Sequence, residues 1–213
     1  TGNNSEKFRI TSDGGLETPT GSEISHKSDI TGTDISFSAS GGTNTISSTS
    51  TVLTGAGKLA ARDLVTISGS TNNNSTFTVK AVISTTEFTV EEIVTTEASD
   101  GSTTITLDHT GFVTDKVQGD GYYSQPDGVH TVAFHPNASI NDDANISLKM
   151  QGSLATTPTE DDFFDIAGTT INQDNIDGST LAFHANFTGN FVWVRAKVSG
   201  MSAGAVSKIL YNH

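Results

Sequence analysis

The chain has 213 residues, 24 acidic against 11 basic, a formal charge of −13 and a sequence pI near 4.6. That balance excludes nucleic-acid binding through a basic face, which works by releasing phosphate counterions. With 33 Thr, 25 Ser, 21 Gly and 14 Asn against nine Leu, the chain lacks helix-forming runs and reads as all-β. Its hydrophobic fraction is 33%, below the roughly 45–50% of a typical globular chain on a count that includes Gly. There is no Cys, hence no disulfide, no thiolate metal site and no Cys nucleophile. No apolar run approaches the ~18–20 residues of a membrane span, and no segment reads as a signal-peptide core. No membrane partner is expected. A start at Thr1 implies loss of an initiator Met or a longer trim.

Residues 1–34 are polar, with Gly14-Gly15, Pro19 and only Phe8-Arg9-Ile10 as a short apolar run. They read as an extended arm or linker that orders only against a partner from outside the domain. From 35 to 110 the apolar pattern has period two, which predicts a small β-barrel or sandwich. Its central meander runs through 64–68, the turn cluster 69–75, 76–82, the turn 84–86, and a strand in which Phe88, Val90 and Glu92 share a face. Flanking strands are predicted at 35–38, 44–53 and 103–107, with one helical turn over Lys58–Asp63. Asp108-His109-Thr110-Gly111 reads as the join to a second domain, 111–213. There, strands at 112–117, 129–134, 146–154, 161–166, 180–187, 190–198 and 205–211 alternate with turns at 126–128, 136–137, 141–143, Pro158, 177–178, 189–190, Gly200 and Gly204. That spacing is the signature of a β-sandwich of jelly-roll type.

Motifs for chemistry are sparse. His130 and His135 fall on opposite faces of one strand, because five is an odd spacing, and His130 shares the core side with Val132 and Phe134. No metal site is assigned. Asp142-Asp143, Asp161-Asp162 and Asn172–Gly178 offer oxygen ligands, yet aligning Gly178 with the loop glycine of a helix-loop-helix calcium site puts His184 where Glu is required. An irregular Ca²⁺ loop stays open as the only cofactor alternative, against the simpler reading of Asp and Asn as turn formers. There is no G-x-S-x-G elbow and no phosphate-cradling glycine loop, so no catalytic residue is assigned and the chain is read as a non-enzyme. The most informative segment is 191–198. Val192, Val194, Ala196 and Val198 alternate as a core face, opposite Phe191, Trp193, Arg195 and Lys197. Two aromatics with adjacent cations suit a partner protein or a sugar. The competing reading has Phe191 and Trp193 tucked beneath a loop as packing anchors.

Three stretches carry a resemblance. VTISGSTNNNSTFTVKAVISTTEFTV (65–90) resembles a small β module that recurs in structural proteins of tailed bacteriophages. ISLKMQGSLATTPTEDDFFDI (146–166) and GNFVWVRAKVSGMSAGAVSKILYNH (189–213) resemble the C-terminal β-sandwich of virion proteins from cyanophage-like tailed phages. The resemblance covers about a third of the chain directly and implies a virion location on the particle surface. It implies an accessory subunit on head or tail, such as a capsid decoration protein or a projecting appendage. The expected partners are other capsid or tail subunits and further copies of the chain, as a homo-oligomer or lattice-bound. The alternative is a carbohydrate-binding module of a tail fibre that reads a host surface glycan. In either case Phe191, Trp193, Arg195 and Lys197 form the expected contact face.

Overall fold

The structure, a computed structural model, describes residues 9–10, 16–17, 24–124, 128–137, 146–172 and 183–212. The turns expected at 126–127, 141–143 and 177–178, the acidic pair Asp142-Asp143 and most of the 172–178 stretch lie outside these residues. The fold is all-β, with every strand ladder antiparallel, no α-helix among the described residues and no sheet closed into a barrel. The chain divides into two compact units, Lys27–Val113 and Thr1–His26 with Thr114–His213.

Short strands open the chain: β1 (Arg9–Ile10) pairs with β2 (Leu16–Glu17), and β3 (Ile24–Ser25) follows. The first unit then runs through β4 (Ile30–Gly32), β5 (Ile35–Ser40), β6 (Thr43–Ser48), β7 (Asp63–Ser68), β8 (Thr76–Ser84), β9 (Glu87–Val90) and β10 (Ile105–Val113). These form one sheet in the order β4-β10-β7-β8-β9-β6-β5. β8 pairs with β7 through Thr76–Thr78 and with β9 from Val79 onward, with register shifts at 79/81 and 82/84. Bulges of this kind bend a strand, and here they let one strand serve both halves of the sheet. The inward set Ile35, Phe37, Ile46, Val65, Ile67, Phe77, Val79, Phe88, Val90 and Leu107 forms a core. Gly41 and Gly42 have φ of +60° and +79°, the backbone a two-residue hairpin turn needs to match strand twist, and they join β5 to β6.

Several expectations are corrected by local hydrogen bonding. β6 stops at Ser48 because Asp34 gathers the next residues. Its carboxylate accepts from Ser48 Oγ (2.7 Å), Ser50 N (2.7 Å), Thr51 Oγ1 (2.6 Å) and Thr49 Oγ1 (3.0 Å). Glu92 leaves the face of Phe88 and Val90 and instead accepts from Thr78 N and Oγ1 at 2.6 and 2.8 Å. Lys58–Asp63 forms non-helical turns, with Lys58 N donating to Gly55 O and Asp63 N to Ala60 O. The segment 108–111 is no linker. It lies within β10, where the register against β7 shifts between His109 and Gly111, so its turn-like residues make a bulge. The strands expected at 103–107 and 112–117 are therefore largely one. Part of the expected arm is ordered by the chain itself: Ile24 and Ile30 are buried, in β3 and β4.

The second unit holds β11 (Val117–Gln118), β12 (Val129–Pro136), β13 (Ser147–Ser153), β14 (Phe164–Asp165), β15 (Ile171–Asn172), β16 (Phe183–Thr188), β17 (Trp193–Ser199) and β18 (Ala205–Asn212). One of its sheets has the order β16-β12-β18-β3. In the other, β13 lies between β17 and the short strands β14 and β15, and β11 lies on the far side of β17. Val132, Phe134, Leu148, Met150, Val194, Ala196, Val198, Val206, Ile209 and Tyr211 are all at or below 1% exposure, as the inner faces of a β-sandwich require. The segment expected as a strand at 161–166 opens instead with a 3-10 turn at Glu160–Asp162, where Thr159 and Asp162 form a capping box.

Candidate functional site

The predicted quartet on β17 does not share one surface. β17 begins at Trp193, after a bend at Val192 that interrupts the alternation. Val192 is left half-buried, and Phe191 turns inward, 9% exposed. Its ring lies so close to two glycines that a Cβ on Gly152 would stand 2.5 Å from its Cδ1, and one on Gly189 would stand 2.2 Å from its Cζ. Phe164, Phe187 and His130 surround it at centroid distances of 6.0, 6.2 and 6.3 Å. Phe191 is thus a packing anchor.

Arg195 does face the side of the sheet opposite the core, as the alternation requires, yet it is 4% exposed. The segment after β13 folds back over it. Glu160 binds both guanidinium ends, at 2.7 and 2.6 Å, Gln151 Oε1 accepts from Nε at 2.9 Å, and the Phe163 ring lies 3.8 Å from the guanidinium carbon. Arg195 is therefore held in an internal fork-to-fork ion pair. Lys197 stands opposite Lys149 across the ladder, in a row where Asp165 accepts from Lys149 Nζ at 2.9 Å and from Gln151 Nε2 at 2.9 Å. These contacts, against the cost of burial, hold the Asp165 carboxyl below its ordinary value.

Trp193 alone of the quartet belongs to an open aromatic surface, and its companions come from another segment. Its indole N–H donates to Thr156 O at 3.1 Å, which fixes the ring. Tyr122 meets it edge-on at 5.2 Å, Tyr123 meets Tyr122 edge-on at 5.2 Å, and Lys116 Nζ lies 5.0 Å from the indole centroid. Tyr122 and Tyr123 are 46% and 52% exposed, and the Tyr123 hydroxyl donates to Gln118 Oε1. β11 brings this group together by pairing Gln118 with Trp193.

The turn that carries the tyrosines is held rigidly. Gly119 N donates to Val192 O at 3.0 Å and Gly121 N to Phe191 O at 2.9 Å. A Cβ at Gly119 would lie 2.6 Å from Phe191 O, so only glycine permits this approach. Between the two glycines, the Asp120 carboxylate reaches inward, accepting from Gly128 N at 2.8 Å and facing His130 Nε2 at 3.4 Å. His130 is fully buried, as the strand alternation predicts, and stacks on Phe187 at 4.9 Å. Its Nε2 also faces Gly189 O at 3.2 Å. Both neighbours of Nε2 are acceptors, so the ring proton sits there, and Nδ1 accepts the Tyr211 hydroxyl at 2.7 Å. Burial, with the Asp120 charge adding to it, pushes the Tyr211 phenol well above its ordinary value. This network is structural: it ties the tyrosine turn to the core.

Sequence reasoning missed Tyr122, Tyr123, Lys116 and Gln118. The available signal was Gly119-Asp120-Gly121-Tyr122-Tyr123, two adjacent tyrosines directly behind a glycine pair. Comparison with family models, with curated proteins and with solved structures gives no match.

Proposed function

We propose that this protein is a non-enzymatic structural subunit of a tailed-phage particle, on its head or tail, that meets a neighbouring virion protein through the Tyr122–Tyr123–Trp193 edge. The observation that carries the reading is that edge itself: half-exposed Tyr122 packed against the chain's single Trp, half-exposed Tyr123 packed against Tyr122, and a cation over the indole. Tyr and Trp dominate contact energies because they bury large areas at low conformational cost. The glycine-tight turn and the Asp120–His130 network supply the rigidity that makes such a patch effective. The sequence resemblance at 65–90, 146–166 and 189–213 supplies the particle.

The test uses particles stripped of this protein and reloaded with the full chain. Tyr122→Ala/Tyr123→Ala keeps the circular dichroism spectrum and loses about tenfold in occupancy or more, at roughly 1 kcal/mol or more per anchor. Undiminished rebinding overturns the contact surface, and absence of the protein from purified particles by mass spectrometry overturns the virion assignment. One observation favours a second reading, recognition of a host surface glycan. The Gln118 amide and Lys116 ammonium flank the rings, the mixture of stacking faces and hydrogen-bonding groups that a pyranose needs. Glycan binding lost in Trp193→Ala supports it, and no binding by the unaltered chain removes it.

A further inference from the structure

Within the unit Lys27–Val113 lies a charged cluster that the proposed function does not use. Asp63, the first residue of β7, and His109, in β10, are both 0% exposed. The Lys27 side chain is 15% exposed and donates from Nζ to Asp63 Oδ2. Asp63 Oδ2 also accepts from Ala60 N at 2.6 Å, while Oδ1 faces His109 Nε2 at 3.6 Å. The Lys27 backbone N–H donates to His109 Nδ1 at 3.3 Å. Because Nδ1 accepts, the neutral ring carries its proton on Nε2, aimed at Asp63 Oδ1.

This arrangement brings an amine, a carboxyl and a proton carrier together inside a β sheet. The backbone that carries the carboxyl is fixed by Arg62 N donating to Val79 O, Val113 N to Arg62 O and Asp63 N to Ala60 O. Held groups react as if at very high concentration. Burial penalises both charges of an ammonium–carboxylate pair, which lowers the cost of passing one proton between them to give the neutral form. The neutral form is an amine next to a carboxylic acid, with the imidazole alongside.

We propose that Lys27 and Asp63 condense to an intramolecular isopeptide bond, with His109 as the proton relay. The ammonium first passes one proton to the carboxylate. The Nζ lone pair then forms a bond to Asp63 Cγ, giving a tetrahedral centre. A second Nζ proton is shed as Nε2 of His109 delivers its own to the departing Oδ1, and Nε2 is reloaded by the proton shed. As the Cγ–Oδ1 bond breaks, the proton that the ammonium gave to Oδ2, the oxygen it contacts, passes to the departing oxygen, so Oδ1 leaves as water and Oδ2 remains as the amide carbonyl. Ammonium plus carboxylate becomes amide plus water, with atoms and charge balanced, no electron transferred and no co-reactant needed. The product cross-links the segment before β4 to β7 across β10, which pairs with both. It would give a chain without cysteine the covalent closure that disulfides give others.

Intact-mass measurement of the purified, folded full chain tests the proposal directly. The expected mass is one water below that of the sequence, and tandem spectra of a protease digest show a branched peptide joining Lys27 to Asp63. Lys27→Arg and Asp63→Ala each restore the full mass, and His109→Ala slows formation at least tenfold in a time course after refolding. Full sequence mass in the folded, unaltered chain after prolonged incubation from mildly acidic to mildly alkaline pH overturns the proposal. So does a water loss mapped to a cyclic imide or to any other residue. The unaltered chain alone distinguishes these outcomes, so variants that fail to fold do not block the test.

Discussion

Phe191→Ala separates a packing anchor from a surface contact. A Phe side chain presents about 150–250 Å², and the 9% exposure of Phe191 leaves nine-tenths of it out of water. At about 25 cal/mol/Å² that burial amounts to about 3–6 kcal/mol. Large-to-small replacement of a core Phe falls in a similar range of about 3–5 kcal/mol, because the vacated volume closes only partly. Closure is difficult here. The walls are the backbones of Gly152 and Gly189 and the rings of Phe164, Phe187 and His130, none of which has a flexible chain to extend into the gap. Urea unfolding followed by the fluorescence of Trp193, the only Trp, reads the unit that holds the mutation. A midpoint lowered by the equivalent of about 3–5 kcal/mol at unchanged m-value is expected. A loss below about 1 kcal/mol would refute the packing role and return Phe191 to the surface, where the strand alternation had put it.

Glu160→Gln leaves the Arg195 guanidinium buried beside Gln151 and Phe163 without its counter-charge, at a cost of about 3–5 kcal/mol. Arg195→Met/Glu160→Met, which removes both charges, costs much less, and a double-mutant cycle by urea unfolding measures the difference. A third prediction concerns acid. Hydrogen bonds from Thr51, Ser48 and Ser50 hold Asp34 far below the usual carboxylate range, and those from Thr103 and Ser102 do the same for Asp100. Glu97 is also lowered, its burial offset by donation from Thr71, Ser70, Asn72 and Asn73, and Asp162 is lowered by Thr159. A depressed folded value means that the unfolded chain binds protons first. The associated stability is therefore complete above about pH 4–5 and is lost as pH falls toward the folded values. Carboxyl-carbon NMR should show Asp34 and Asp100 still ionised at a pH where model carboxylates are half protonated; titration of both at the ordinary value would contradict the geometry.

Legibility varied with the range of the interaction. The meander from 64 to 90 was readable because alternating branched residues and turn clusters act over a few residues. The cluster at 69–75 shows why: Asn74 Oδ1 accepts from Ser70 N at 2.9 Å and Ser70 Oγ accepts from Asn73 N at 2.9 Å, closing the turn within a few residues. His130 was placed in the core by spacing alone. The Asp108–Gly111 stretch is a bulge rather than a turn, since the two use the same residue types, while the division between the units falls just after it, at Val113/Thr114. Arg195 was misread because strand alternation assigns a face and cannot say that a later segment, Glu160–Phe163, folds over it.

Composition and periodicity by themselves determined an all-β chain, its strand-and-turn rhythm and the core face Val194-Ala196-Val198. Those follow from side-chain chemistry and from the two-residue repeat of the pleat. Tertiary structure alone decided which polar and aromatic groups meet. Tyr122 reaches Trp193 across 71 positions in the chain, counted from the numbering, and Lys27 reaches Asp63 across 36. Such pairings depend on strand order and register, which are set by the sum of many weak contacts and leave no local mark in the sequence.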